Sequence, residues 1–152
     1  MVPEGLTTVN GYWCAAAVLG LALVGCQADH ASADPVSFHL NQPFALGGGR
    51  EASDAGDDVR VRFSDVLEDS RCPERVECFW TGQARVAIAV QPHGREPTTL
   101  EFNTNPAPGQ TVSTGRAGDY TVTMQSLEPY PQTPDDPIPL PEYRVTLTVT
   151  KG

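Results

Sequence analysis

From Val36 onward, apolar and polar residues alternate with a period of two, the signature of strands that bury one face. Val36, Phe38 and Leu40 oppose Ser37, His39 and Asn41, and Val59, Val61 and Phe63 oppose Arg60, Arg62 and Ser64. Val86, Ile88 and Val90 follow with small Ala87 and Ala89 between them, which predicts an interior strand covered on both sides. Leu100 and Phe102 mark a further strand, and Tyr120, Val122 and Met124 another. Tyr143, Val145, Leu147 and Val149 against Arg144, Thr146, Thr148 and Thr150 give the clearest alternation in the chain.

Turn residues separate these runs at Gly47-Gly48-Gly49, Pro92-His93-Gly94, Asn105 to Gly109 and Gly115 to Asp119. No segment sustains a 3.6-residue period, although a single helical turn fits at Asp65 to Asp69. The pattern predicts an all-β fold, an antiparallel β-sandwich or small barrel of about six to seven strands. Phe38, Phe63, Trp80, Val86, Ile88, Phe102, Val122, Leu147 and Val149 are its expected core.

The first residues follow another rule. Trp13 to Val24 is a continuous apolar run, too short for a membrane-spanning helix, which needs about 20 residues, and of the length of a secretory h-region. No Lys or Arg precedes it. It ends in Leu23-Val24-Gly25-Cys26, which resembles the lipobox of bacterial lipoprotein precursors. That resemblance implies removal of residues 1–25, a lipid-modified Cys26 and export. The protein would then be held to a membrane through the lipid, with Gln27 directing it to the outer membrane in a Gram-negative cell. An ordinary secretory signal or a short buried segment is the alternative. Residues 26–35 are polar and small with no hydrophobic period, and read as a flexible tether before a single domain at 36–152.

The formal net charge of -9 survives that cleavage almost unchanged, because Glu4 is the only charged residue among the first 25. Such a surface repels nucleic acid and anionic headgroups, and leaves a cationic partner open; excess carboxylates that keep an exported protein soluble are the simpler account. With Cys14 removed and Cys26 lipidated, Cys72 and Cys78 are the thiols left in an oxidising compartment, and are expected to pair. Their spacing is not the C-x-x-C of thioredoxin-like redox sites.

The segment from Asp69 to Ala84, DSRCPERVECFWTGQA, resembles a motif of the form D-S-R-C-P-x(4)-C-x-W-x-G-x-A that recurs in secreted and lipid-anchored bacterial proteins of no established function. Leu127-Glu128-Pro129-Tyr130-Pro131 and Tyr143-Arg144-Val145-Thr146-Leu147 fit the same family, so the resemblance extends over most of the domain but implies no activity. Within the motif Trp80 is expected to pack on the bridge, and Gly82 to permit a bulge or a close backbone approach. Arg71 has acidic neighbours Asp69 and Glu74 to clamp, or an external carboxylate or phosphate to bind.

Catalytic patterns are thin. His30, His39 and His93 share no metal-binding spacing, and no zincin, nucleophile-elbow or phosphate-loop motif occurs. Asp54, Asp57 and Asp58, or Asp65, Glu68 and Asp69, offer oxygen ligands for calcium, but solvated acidic turns explain both. No catalytic residue, metal or cofactor is therefore expected. Pro129 to Pro141 holds six prolines and Tyr130, a stiff crossover or a preorganised recognition edge. The leading expectation is a non-catalytic binding module for an envelope or extracellular protein, with Arg71, Trp80 and Tyr130 as candidate contacts and no nucleic acid partner. An envelope-polymer hydrolase, with carboxylates assembled by the fold, is the alternative.

Overall fold

The computed structural model describes residues 36–106, 113–135 and 137–152. The signal-like run, Cys26 and the tether lie outside them. The described residues form nine strands: β1 (Val36–Phe38), β2 (Pro43–Gly47), β3 (Glu51–Asp54), β4 (Val59–Asp69), β5 (Ala84–Pro92), β6 (Thr98–Asn103), β7 (Thr114–Ala117), β8 (Tyr120–Glu128) and β9 (Arg144–Lys151). One 3-10 turn, Leu140–Glu142, precedes β9. No helix among the described residues is long and apolar enough to cross a membrane.

The described residues form an all-β sandwich. A five-stranded sheet runs in the order β1-β3-β4-β5-β6 and a four-stranded sheet in the order β2-β9-β8-β7. Pairing is antiparallel throughout except between β1 and β3, which run parallel. Period-two alternation dictates the arrangement: inward residues of the two sheets bury against one another, at about 1.5–3 kcal/mol for each fully buried Val, Leu, Ile or Phe. Val59, Val61, Phe63, Val86, Ile88, Val90 and Phe102 form one half of the core. Leu46, Val122, Val145, Leu147 and Val149 form the other. At one margin Phe38 stacks on Phe44 with ring centroids 4.2 Å apart, joining β1 of one sheet to β2 of the other.

Several expectations are corrected. Nine strands replace six or seven: β2 is a short strand that runs into the glycines read as a turn, and β3 and β7 present small or polar residues, Glu-Ala-Ser-Asp and Thr-Gly-Arg-Ala, that carry no hydrophobic alternation. The run Gly115 to Ala117 is thus strand, and the hairpin turns only at Gly118-Asp119, with Gly118 at φ +60°. Asp65 to Asp69 is not a helical turn but the far end of β4, where bulges between Phe63 and Asp65 and between Val66 and Glu68 break the alternation. No third layer covers the outer face of β5 among the described residues: Ala87, itself buried, lies between cross-strand neighbours Asp65 and Glu101, and Ala89 between Arg62 and Thr99.

Trp80 is the correction that matters most. It is 79% exposed, not in the core. The alternation that would have turned it inward does not apply, because β5 begins only at Ala84 and Cys78 to Gln83 are loop. Gly82, at φ +64°, redirects the chain in between.

Candidate functional site

At one end of the sandwich β4 leads into the disulfide loop, the loop leads into β5, and the proline-rich segment joins β8 to β9. The arms of the loop continue the β4–β5 ladder, with Ser70 N–H donating to Gln83 O at 2.7 Å and Cys72 N–H to Thr81 O at 3.0 Å. A Cβ on Gly82 would stand 1.8 Å from Ser70 O, so the arms approach this closely only because position 82 is glycine. Cys72 and Cys78 are bonded, with Cα atoms 5.9 Å apart, and close the turn between the arms. Glu74 then ties the loop to the proline-rich segment: its N–H donates to Pro131 O at 3.0 Å and its carboxylate accepts from Gln132 Nε2 at 2.6 Å.

Beneath this loop lies a buried polar clasp. Arg71 is 4% exposed. Its Nε and Nη2 donate to the two oxygens of Asp69 at 2.8 and 2.7 Å, a bidentate pair. Nη1 donates to Leu127 O at 2.6 Å and Nη2 to Pro129 O at 2.7 Å. Tyr143 donates its O–H to Asp69 Oδ2 at 2.8 Å, and the Tyr130 ring lies 4.3 Å from the guanidinium carbon. Four of the five guanidinium N–H groups are thereby occupied within the chain.

The electrostatics follow from that geometry. Burial alone would raise the Asp69 pKa, but the hydrogen bonds from Arg71 and Tyr143 and the guanidinium charge outweigh it and hold the carboxyl below its usual range. Burial would lower the Arg71 pKa, and Asp69 raises it instead. Burial and the bond to Asp69 push the Tyr143 phenol up to about 12, so it stays protonated and donating. The clasp is fixed in one protonation state across the neutral range.

Over the clasp the surface opens into a groove of about 700 Å³, walled by Val66, Leu67, Val76, Pro131 and Ile138, with Glu68, Asp135 and Trp80 also lining it. Phe79, 97% exposed, and Trp80 project from the disulfide loop, their rings edge to face with centroids 5.9 Å apart. Leu67, Val76 and Tyr130 are exposed at 44%, 40% and 41%.

Of the residues singled out in the sequence, Cys72 and Cys78 form the bridge, Arg71 and Tyr130 meet in the clasp, and Trp80 stands outside it on the groove. Cys26 lies outside the described residues. That Tyr143 and the carbonyls of Leu127 and Pro129 meet Asp69 and Arg71 had no signal in the sequence, since they sit 56 to 74 residues from their partners. Phe79 did have one: it directly follows the short Cys72–Cys78 ring, ahead of the alternation that begins with β5 at Ala84. The acidic turn holds no ligand set either. Asp54 is buried and accepts from Gly56 N–H at 3.0 Å and Val59 N–H at 2.9 Å, so it caps the turn before β4. Among the described residues no three His, Cys, Asp or Glu side chains gather to hold a metal. Comparison with protein-family models, curated proteins and solved structures returns no match to this chain.

Proposed function

We propose that this protein is an exported, lipid-anchored binding module that engages another envelope or extracellular protein through the disulfide end of its sandwich. The observation that carries this reading is the exposure of Phe79 and Trp80 directly after the Cys72–Cys78 ring, on a loop held by the Cys72 N–H bond to Thr81 O and pinned to the proline-rich segment. Large aromatics held outward on a constrained loop lose little conformational freedom on binding, and such residues supply most of the energy of protein interfaces. The buried clasp has a structural role: Arg71 and Tyr143 hold Asp69 ionised and occupied, the reverse of what a general acid requires.

The membrane anchor is the second part of the reading, resting on the lipobox at Leu23 to Cys26 and the polar segment after it. Over residues 26–35 a fully extended chain reaches roughly 30 Å, enough to hold the domain clear of a bilayer.

The test is a photoreactive phenylalanine at position 79 of the protein in its own cells, with the same group at His93 as the control. His93 follows β5, at the other end of that strand from Ala84. A protein adduct formed at position 79 and absent at position 93 is expected. Equal labelling from both positions, or none from position 79, overturns the reading.

A further inference from the structure

We infer that the groove beside Trp80 binds an extended, cationic segment of its protein partner, in which a Lys or Arg is flanked by apolar residues. The inference rests on the binding-module reading above and supplies the chemistry of the partner.

Charge and surface chemistry decide the occupant together. The walls are apolar, formed by Val66, Leu67, Val76, Pro131 and Ile138, and suit the aliphatic stem of a long side chain. Carboxylates of Asp135 and of Glu68 line the same groove, Glu68 also accepting from Ser70 and Gln83 and lying 3.8 Å from Arg85 on its outer side. The adjoining loop adds exposed Glu74 and Glu77, with Arg75 its one cation. The guanidinium in the groove wall, Arg71, is neutralised by Asp69 and sealed beneath. An acidic or phosphorylated segment would therefore meet carboxylates with no available counter-charge in the groove wall, whereas a basic one meets complementary potential. Trp80 adds a second attraction for the same group, because the face of an exposed indole carries the negative part of the ring quadrupole and binds ammonium and guanidinium groups. The chain as a whole, at a formal charge of -9, attracts cations and repels an anionic lipid surface.

The experiment selects from a random peptide library on the immobilised full chain, in neutral detergent, and repeats the selection on Trp80→Ala and Glu77→Lys. Both positions are exposed, so neither change disturbs the core, and far-UV circular dichroism with an intact-disulfide mass verifies the fold. Enriched peptides are expected to carry net positive charge with Lys or Arg beside apolar residues. Affinity for synthetic copies should fall with added salt and drop roughly tenfold in each variant. Enrichment of neutral or acidic peptides, or unchanged affinity in Trp80→Ala, overturns the cationic assignment and leaves the binding module standing. Displacement of the peptides by zwitterionic phosphatidylcholine vesicles assigns the aromatic pair to a lipid surface and overturns it as well. No enrichment from any peptide overturns this inference, while the labelling experiment at position 79 decides the binding module separately.

Discussion

Arg71 ties the end of β4 to the segment that leaves β8, and its removal separates two effects. In Arg71→Met the stem volume is largely kept while the charge goes, leaving the buried Asp69 without its counter-charge and the carbonyls of Leu127 and Pro129 without their donor. Breaking a buried pair in this way costs about 3–5 kcal/mol, and urea denaturation should show a loss of that size. Trp80→Ala, by contrast, should change stability by less than about 0.5 kcal/mol in the same measurement, because an exposed ring has little packing to lose. Tyr143 gives a pH signature. Its folded pKa of about 12 lies above the roughly 10 of an unfolded tyrosine, so the fold favours the neutral phenol. That contribution is complete below about pH 10 and is lost as pH climbs toward about 12. Tyr143→Phe should cost about 1 kcal/mol at neutral pH and flatten the alkaline decline in unfolding free energy. Asp54 and Asp69 act at the other limit: their folded values are depressed, so the stability they contribute is present above about pH 4 and lost as pH falls through those values.

Elements meet at the disulfide end through contacts that tolerate little change. Gly82 has both a left-handed backbone, at φ +64°, and Ser70 O where a Cβ would stand. Gly94 shares the left-handed backbone, at φ +70°, but has open space around it. Gly94→Ala should therefore cost about 1 kcal/mol, and Gly82→Ala distinctly more, with displacement of the loop arms visible in the amide chemical shifts of Ser70 and Gln83. The bridge acts on the same loop from its other end. Replacing both Cys72 and Cys78 by Ser should lower stability by roughly 2 kcal/mol in urea, on the chain-entropy account of a short closed loop, and should release Phe79 and Trp80 from their fixed placement. The proline-rich crossover is fixed at defined points: Leu140 O crowds Gly48, Pro131 O accepts from Glu74, and Pro129 O accepts from Arg71. It is a strap fastened across the end of the sandwich, and its prolines leave few N–H groups to satisfy.

For the molecule as a whole, the anchor and the domain are separable claims. Intact mass measurement of the membrane-extracted protein should find Cys26 acylated as the first residue; an unmodified chain retaining Met1 would remove the anchor and leave the sandwich unaffected. Within the domain, the strands with strong alternation, β4, β5, β8 and β9, were readable because a half-buried strand must place apolar groups every second residue. β3 and β7 were not, since each pairs along a neighbour and buries mainly alanine or a capping aspartate, which leaves no periodic trace. The same distinction divides the candidate site. Sequence by itself determined the all-β class and the cysteine pair, and narrowed Gly82 to a bulge or a close approach and Arg71 to its acidic neighbours or an external anion, all consequences of period, composition or near neighbours; the structure chose close approach for Gly82 and Asp69 for Arg71. Tertiary structure alone decided that Trp80 faces outward beside Phe79, that Tyr143, Leu127 and Pro129 complete the clasp, and that an acidic, apolar-walled groove lies above it. Those outcomes depend on which distant segments the two sheets bring to one end, and on where a strand begins after a loop, and neither is encoded in any local window of the chain.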